Sequence, residues 1–289
     1  MTEGRGLDAA LDIDWAELAR LAPDWVVGHL NPDLDSLVSS FVAAHLTGSQ
    51  AAAWGAPEPL SEAVWRTLDQ EALAQLPADG TIGLVDCVFP QESRSVLWAV
   101  DHHQPAGSIT RPYPVYLEAL GATATMISRP RDRLTASDCR LLAAAIVADT
   151  MALTSNRTTD HDRHALETLV EDWRALIPMV FPKDPGLSPA QWRAAGRKQI
   201  LGLPWASGGG FGPAPDVHAI AAGESGPFAF SWIDIGAKTT TLALVLDHRV
   251  VRLLTYPAVL SRTRIGPEIR VPMEETFGHP LRYPSESKE

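Results

Sequence analysis

The chain has 289 residues, 45% of them hydrophobic, and a formal net charge of −11. That length buries a large core and leaves room for two domains, while no apolar run approaches the ~18 residues of a membrane-spanning helix. The acidic balance argues against long nucleic acid as a partner, because phosphate contacts need a basic surface. Cys87 and Cys139 form neither a CxxC pair nor a disulfide framework, and the acidic N-terminus lacks a signal-peptide pattern, so the expected compartment is a reducing cytoplasm. Charge is uneven: residues 1–186 hold 13 Lys/Arg against 26 Asp/Glu, and residues 187–289 hold 11 against 9. The first part is suited to holding cations, the second to offering positive groups to an anion.

A helix is expected over residues 14–21. Val26-Val27 then lead into Gly28-His29-Leu30-Asn31-Pro32-Asp33-Leu34-Asp35-Ser36, ahead of a helical run at 37–46. Proline locks its own φ and pushes its predecessor towards extended geometry, so Asn31-Pro32 shapes a loop between a buried strand and a helix N-terminus. Carboxylates crowded this closely around an imidazole repel one another unless a cation lies among them. After an Ala/Gly-rich connection, residues 61–76 read as a helix. Residues 81–85 form a short apolar run stopping at Asp86, 95–100 another stopping at Asp101-His102-His103, and 111–117 a third. Residues 122–128 and 137–148 read as helices, the latter capped by Ser137 or Asp138 and ending at Asp149-Thr150.

Strands alternating with helices in this way predict βαβ units around a mainly parallel sheet. The prolines and glycine within residues 177–186 break the pattern and mark a boundary. The expected domains are therefore 1–178 and 187–289, joined by a Pro-rich linker at 179–186. The second domain reads as a helix over 187–201, a glycine-rich loop at 207–212, and strands at 228–235, 239–246 and 250–254. The expected fold class is α/β: an N-terminal domain with a mainly parallel sheet flanked by helices, a smaller C-terminal α/β domain, and the active site in the cleft between them.

Four apolar runs thus end in metal-ligand residue types: His29/Asp33/Asp35, Asp86, Asp101-His102-His103 and Asp149. Carboxylates with one or two imidazoles suit manganese, magnesium or cobalt better than a thiolate-type zinc site. There are enough for two metals sharing a carboxylate, and a pair of metals ~3.5–4 Å apart is a standard device for hydrolysing phosphate bonds. The remaining histidines (His45, His161, His164, His218, His248 and His279) read as surface or internally partnered, and Trp65 and Trp173 as core.

These residues resemble the DHH phosphoesterases. The stretch from Gly28 to Ser36 is similar to the family's first motif, Leu84-Val85-Asp86 to its second, Asp101-His102-His103 to its third and naming motif, and Ala148-Asp149-Thr150 to its fourth; Thr158-Thr159-Asp160-His161-Asp162 also has the family's look. The C-terminal half most resembles the branch of manganese-dependent inorganic pyrophosphatases and exopolyphosphatases. Gly186-Leu187-Ser188 followed by Lys198 looks like that branch's lysine-bearing helix, and Leu260-Ser261-Arg262-Thr263-Arg264 like its basic signature.

The resemblance implies that His29, Asp33 and Asp86 hold one metal, and that Asp35, Asp86, His102 and Asp149 hold the other, with Asp86 bridging. Manganese is favoured for both ions, with magnesium or cobalt as substitutes. It implies Asp86 and His103 as catalytic residues, the latter contacting substrate or acting as general acid. Lys198, Arg262 and Arg264 would grip the substrate's oxyanions. The implied activity is hydrolysis of the phosphoanhydride bond of pyrophosphate or short polyphosphate by a hydroxide activated between two metals, with a small phosphate compound as partner and the homodimer as an admissible assembly. One departure stands out: Cys87-Val88-Phe89 follows Asp86 where the pyrophosphatases carry a His-Asn-Glu-like sequence. That leaves open a phosphodiesterase or nucleotide phosphatase acting on short oligonucleotides, cyclic dinucleotides or bisphosphorylated nucleosides, and a non-catalytic metal- or phosphate-binding regulator.

Overall fold

A computed structural model describes residues 13–90, 93–103, 111–200, 202–258 and 274–277. Helix α1 (Trp15–Leu21), capped by Asp14, leads into strand β1 (Trp25–Val27). Helix α2 (Leu34–Thr47) starts at Asp33, whose carboxylate accepts the Ser36 amide, and ends at Gly48 in the left-handed region (φ 72°). Both devices satisfy groups that a helix end leaves unpaired. Strand β2 (Gln50–Ala53), helix α3 (Pro59–Thr67), strand β3 (Ala74–Gln75), and strands β4 (Ile82–Val85), β5 (Val96–Asp101) and β6 (Val115–Leu117) follow.

Among the described residues these six strands form one parallel sheet in the order β3-β2-β1-β4-β5-β6. The chain winds outward from β1 in one direction and then, from β4, in the other. A crevice therefore opens beyond the carboxyl ends of β1 and β4, where open α/β sheets bind their ligands. Helices α4 (Thr123–Ile127), α5 (Ala136–Asp149), α6 (Asp160–Leu169) and α7 (Ile177–Val180) come next. Helix α5 packs between α2 and α6, and Leu142, Ala143, Ala144, Ala145, Ile146 and Val147 are all 0% exposed. A helix buried all round has no polar face, which is why the run before Asp149 is apolar without interruption.

The chain continues through α8 (Pro189–Ala194), β7 (Lys198–Ile200), β8 (Leu203–Gly210), α9 (Val217–Ala221), β9 (Phe228–Asp234), β10 (Thr239–Leu246) and β11 (Arg249–Tyr256). These strands make a second sheet, β11-β10-β9-β8-β7, in which β8 and β9 are parallel and the other pairs antiparallel. Trp192, Phe230 and Trp232 belong to one of its apolar clusters, and Trp205, Leu242 and Leu244 to another.

Several expectations need correction. The helix expected over 61–76 ends at Thr67, and the connection before it contains β2. The helix ahead of Asp149 is capped by Thr135, with Asp138 closing a capping box from the N3 position. The helix expected over 187–201 stops at Ala194, because Gly196 takes a left-handed φ of 51° and the chain turns to pair with β8. Lys198 therefore stands on a strand. The glycine-rich run is strand too: a Cβ on Gly209 would lie 2.6 Å from the Met151 methyl, so a larger residue there would displace the Met151 side chain in the cleft.

Candidate metal centre and its cleft

His29 and Asp33 lie on the loop leaving β1, Asp86 follows β4 directly, Asp101 ends β5 with His102 and His103 after it, and Asp149 ends α5. The loop after β1 folds tightly onto α2 because residue 28 is glycine; a Cβ there would sit 2.6 Å from that of Ser36. Asp86 is the hub. It is 3% exposed, and its oxygens lie 3.6 Å from His29 Nε2, 3.3 Å from His102 Nε2 and 3.5 Å from His103 Nδ1. Ser36 Oγ donates to it at 2.5 Å and Thr123 Oγ1 at 3.2 Å. Its backbone is left-handed (φ 57°), a conformation that costs roughly 1–2 kcal/mol and that Asp tolerates better than most residues.

The other carboxylates are held in turn. Asp33 spends one oxygen capping α2 and turns the other to His29 Nε2 at 3.4 Å. Asp35, 1% exposed, accepts the Thr123 amide at 2.7 Å, the Ala124 amide at 3.0 Å and Ser39 Oγ at 3.2 Å. Asp149 faces His102 Nε2 at 3.6 Å and Arg157 at 3.4 Å. Beyond it Met151, Ala152 and Leu153 are all left-handed (φ 50°, 53° and 64°), with the Leu153 amide bonded to Thr150 Oγ1. This strained turn brings Met151 into the cleft.

Three groups of potential ligands result, in each of which the donor atoms lie within 4.8 Å of one another: His29/Asp33/Asp86, Asp86/Asp101/His102/His103 and Asp35/His102/Asp149. Asp86 belongs to two of them and His102 to two. Among the described residues these groups contain all six residues expected to ligate metals; Asp86 joins the first two groups, and the group of Asp35 and Asp149 meets them through His102.

Electrostatics test whether cations fit. Burial opposes charge on His29, yet Asp33 and Asp86 overcome it and raise its pKa to about 9. Burial likewise opposes charge on His102, and Asp86, Asp149 and Asp35 raise it to about 10. Burial also works against ionised Asp86, but His102, His29 and His103 hold it well below the usual carboxylate range. Asp35 is pushed well above that range by burial and by Asp86 and Asp149. The cluster therefore demands positive charge, and without metal it takes up protons. His102 Nδ1 lies 3.0 Å from the Leu120 carbonyl, which fixes it as the donor, while the buried Nε2 has no hydrogen-bond partner and faces the carboxylates. A carbonyl that fixes the other ring nitrogen in this way is characteristic of metal-ligating histidines, so the donor set fits divalent cations.

A cavity of about 450 Å³ lies over this cluster, lined by Asp33, Asp35, Asp86, His103 and Asp149 and, from the second sheet, by Lys198, Ile200, Gly208, Gly209 and Ile233. Lys198 is exposed, and its charge helps to keep Asp33 ionised. Arg262 and Arg264, expected to grip substrate, lie outside the described residues. Two groups lining the cavity, Glu58 and Arg157, were not foreseen, and Asp101, expected among the ligand types, buttresses His103. Asp101 accepts from the His103 amide at 3.0 Å and approaches His103 Nδ1 at 2.8 Å. For Glu58 the sequence cue is Pro59, which marks a helix start and makes residue 58 its cap; for Arg157 there is none.

No family model matches the chain. A protein of Deinococcus radiodurans named as a probable manganese-dependent inorganic pyrophosphatase is 34% identical over 193 residues, 57% of this chain and 61% of the relative. The manganese-dependent inorganic pyrophosphatase of Methanocaldococcus jannaschii is 30% identical over 169 residues, 51% of this chain and 54% of that relative. The chain thus spans between about half and three fifths of the length of these curated relatives. Its fold is similar to a crystal structure from Methanococcus jannaschii assigned to the family II inorganic pyrophosphatases, with a TM-score of 0.64 at 22% identity over 88% of this chain and 99% of that one. The described strands and helices accordingly share the two-sheet α/β fold of a family II pyrophosphatase, and the curated relatives that match the sequence are manganese-dependent inorganic pyrophosphatases.

Proposed function

We propose that this chain is a manganese-dependent phosphohydrolase that cleaves the phosphoanhydride bond of pyrophosphate or short polyphosphate. The observation that carries this reading is the convergence of six dispersed ligand-type side chains around Asp86 and His102, themselves two of the six, with His102 Nε2 buried and facing the carboxylates. In this reading His29, Asp33 and Asp86 hold one ion, and Asp35, Asp86, His102 and Asp149 hold the other. Held by these residues, divalent cations would supply Lewis-acid polarisation of phosphoryl oxygens and a more acidic water at neutral pH. The protein's own groups do the rest. Asp101 holds His103 Nδ1, leaving Nε2 to carry the proton that the departing phosphate needs. Lys198 neutralises oxyanion charge from the opposite wall as a mobile point charge, and Arg262 and Arg264 are assigned the same task. The apolar walls lower the local dielectric and strengthen each of these interactions.

Residues 1–178 form the catalytic domain, 179–186 the linker and 187–289 the substrate-binding domain. Among the described residues no helix is long and apolar enough to cross a membrane. Two free cysteines suit a reducing cytoplasm. Assembly as a homodimer rests on the family resemblance and is checked by sedimentation.

A second reading has one observation in its favour. Leu60, Val64, Ile200 and Ile233 give the cavity an apolar flank that a bare polyphosphate does not use, so a phosphate compound with an organic substituent, such as a nucleotide, also fits. Phosphate release from pyrophosphate, tripolyphosphate and a dinucleotide in manganese buffer separates the two. Preferred turnover of the dinucleotide would displace the first reading, and no release from any of the three would end both.

A further inference from the structure

Glu58 is an unusual cap. N-cap positions favour short side chains (Ser, Thr, Asp, Asn) whose oxygen folds back onto the first turn. Here the longer glutamate caps α3, with Oε2 accepting from both the Ser61 amide and Ser61 Oγ at 2.7 Å. The additional methylene carries its other oxygen outward. Oε1 accepts the Gly196 amide at 3.1 Å, from a residue 138 positions away in the chain.

Both ends of this bond are anchored. The Glu58 amide donates to the Pro32 carbonyl at 2.9 Å, which fastens the residue to the loop bearing His29 and Asp33. On the other side, the Ala195 carbonyl accepts the Ser207 amide at 2.9 Å, which fixes the turn to β8. Gly196 takes the left-handed φ of 51° that ends this turn, and Lys198 follows two residues later as the first residue of β7, opposite Trp205 on β8. Leu60, Val64, Ile200 and Ile233, which line the cavity beside this bond, are apolar and offer no directional bond of their own. Burial raises the pKa of Glu58 and Ser61 counteracts it, in keeping with a carboxylate enclosed by the donors that hold it.

We propose that Glu58 is a positioning residue for Lys198: its carboxylate links the ligand-bearing loop after β1 to the Gly196 turn and thereby sets where the lysine stands relative to the cations. The inference rests on the proposed hydrolytic reading for its kinetic consequence but not for its structural one. Its signature is a binding defect without a metal defect.

Glu58→Asp is the decisive variant, because aspartate preserves the cap of α3 and is too short to reach Gly196. The expected result is a melting temperature lowered by only about 2–6 °C, the scale of one lost hydrogen bond, unchanged Mn²⁺ affinity by calorimetry, and faster amide hydrogen exchange confined to residues 195–200. The KM for pyrophosphate should rise about tenfold, the scale of one lost charge-assisted hydrogen bond, with kcat changed less than about threefold. Lys198→Ala should raise KM similarly, and the double variant should be no worse than the poorer single one, since both remove one interaction. Wild-type exchange at 195–200 in Glu58→Asp, or KM effects of the two substitutions that multiply, would overturn the proposal. If the wild-type chain hydrolyses no pyrophosphate, the hydrolytic reading falls, and the exchange experiment still decides whether Glu58 holds the Gly196 turn.

Discussion

Asp86 and Lys198 face one cleft from regions built on different terms. Asp86 follows an interior strand of the parallel sheet, is 3% exposed, and has hydroxyls or imidazoles from the segments after β1 and β5, from α2 and from α4 around its two oxygens. Lys198 opens a three-residue strand at the edge of the second sheet and is exposed. A group meant to gather cations is placed where the backbone is fixed from several sides, because misplaced carboxylates repel. On the proposed reading, the group that meets substrate sits at an edge, where a single contact such as that from Glu58 would adjust it.

The sharpest way to break this contrast is Asp86→Asn. It removes the shared ligand, and phosphate release should fall by on the order of 10³-fold or more, while calorimetry should show fewer Mn²⁺ ions bound per chain. Retained manganese-dependent turnover would refute the hub. Leu142→Ala, in the fully buried part of α5 behind the cluster, should lower stability by ~2–5 kcal/mol, read from chemical denaturation.

The metal-free protein should also reveal the charge demand of the first region. His29 has its pKa raised from 6.5 to about 9 and His102 to about 10. A raised folded-state pKa gives stability that is complete below 6.5 and lost as pH climbs through the folded value. Melts in chelator should therefore fall between pH 6.5 and about pH 10, and saturating Mn²⁺ should flatten that fall. Manganese binding near pH 8 should release about two protons, since both imidazoliums must give theirs up, measurable by calorimetry in buffers of different ionisation enthalpy. Release of no protons would mean that these histidines do not ligate.

Smaller effects belong to the second region. Lys198→Ala should raise KM for pyrophosphate about tenfold and leave Mn²⁺ affinity as it was. Leu253→Ser, on β11 at a position 53% exposed, should move stability by less than ~0.5 kcal/mol. If instead Lys198→Ala weakened metal binding as strongly as Asp86→Asn, the two walls would not be separable in function.

What the sequence determined by itself was local. Gly28 and the Asn31-Pro32 turn announce a strand end and a loop ahead of a helix, because steric preferences act over short distances, although Asn31 takes a left-handed φ of 55° rather than the extended geometry expected before proline, and the helix already starts at Leu34. Asp86, Asp101-His102-His103 and Asp149 were legible because each terminates an apolar run; the first two runs are neighbouring parallel strands whose carboxyl ends meet at one edge, and the third is helix α5. Tertiary structure alone decided the rest. The glycines at 208–210 read as a loop until Trp192, Met151 and Trp232 are seen packed against them as a strand. Lys198 sits on a strand because β8 pairs with it, a contact no helical pattern in its own segment foretells. The Thr123 and Ala124 amides on Asp35, and the Glu58 carboxylate on Gly196, join residues 88, 89 and 138 positions apart. Contacts of that range depend on how every intervening element packs, and short-range preferences carry no record of it.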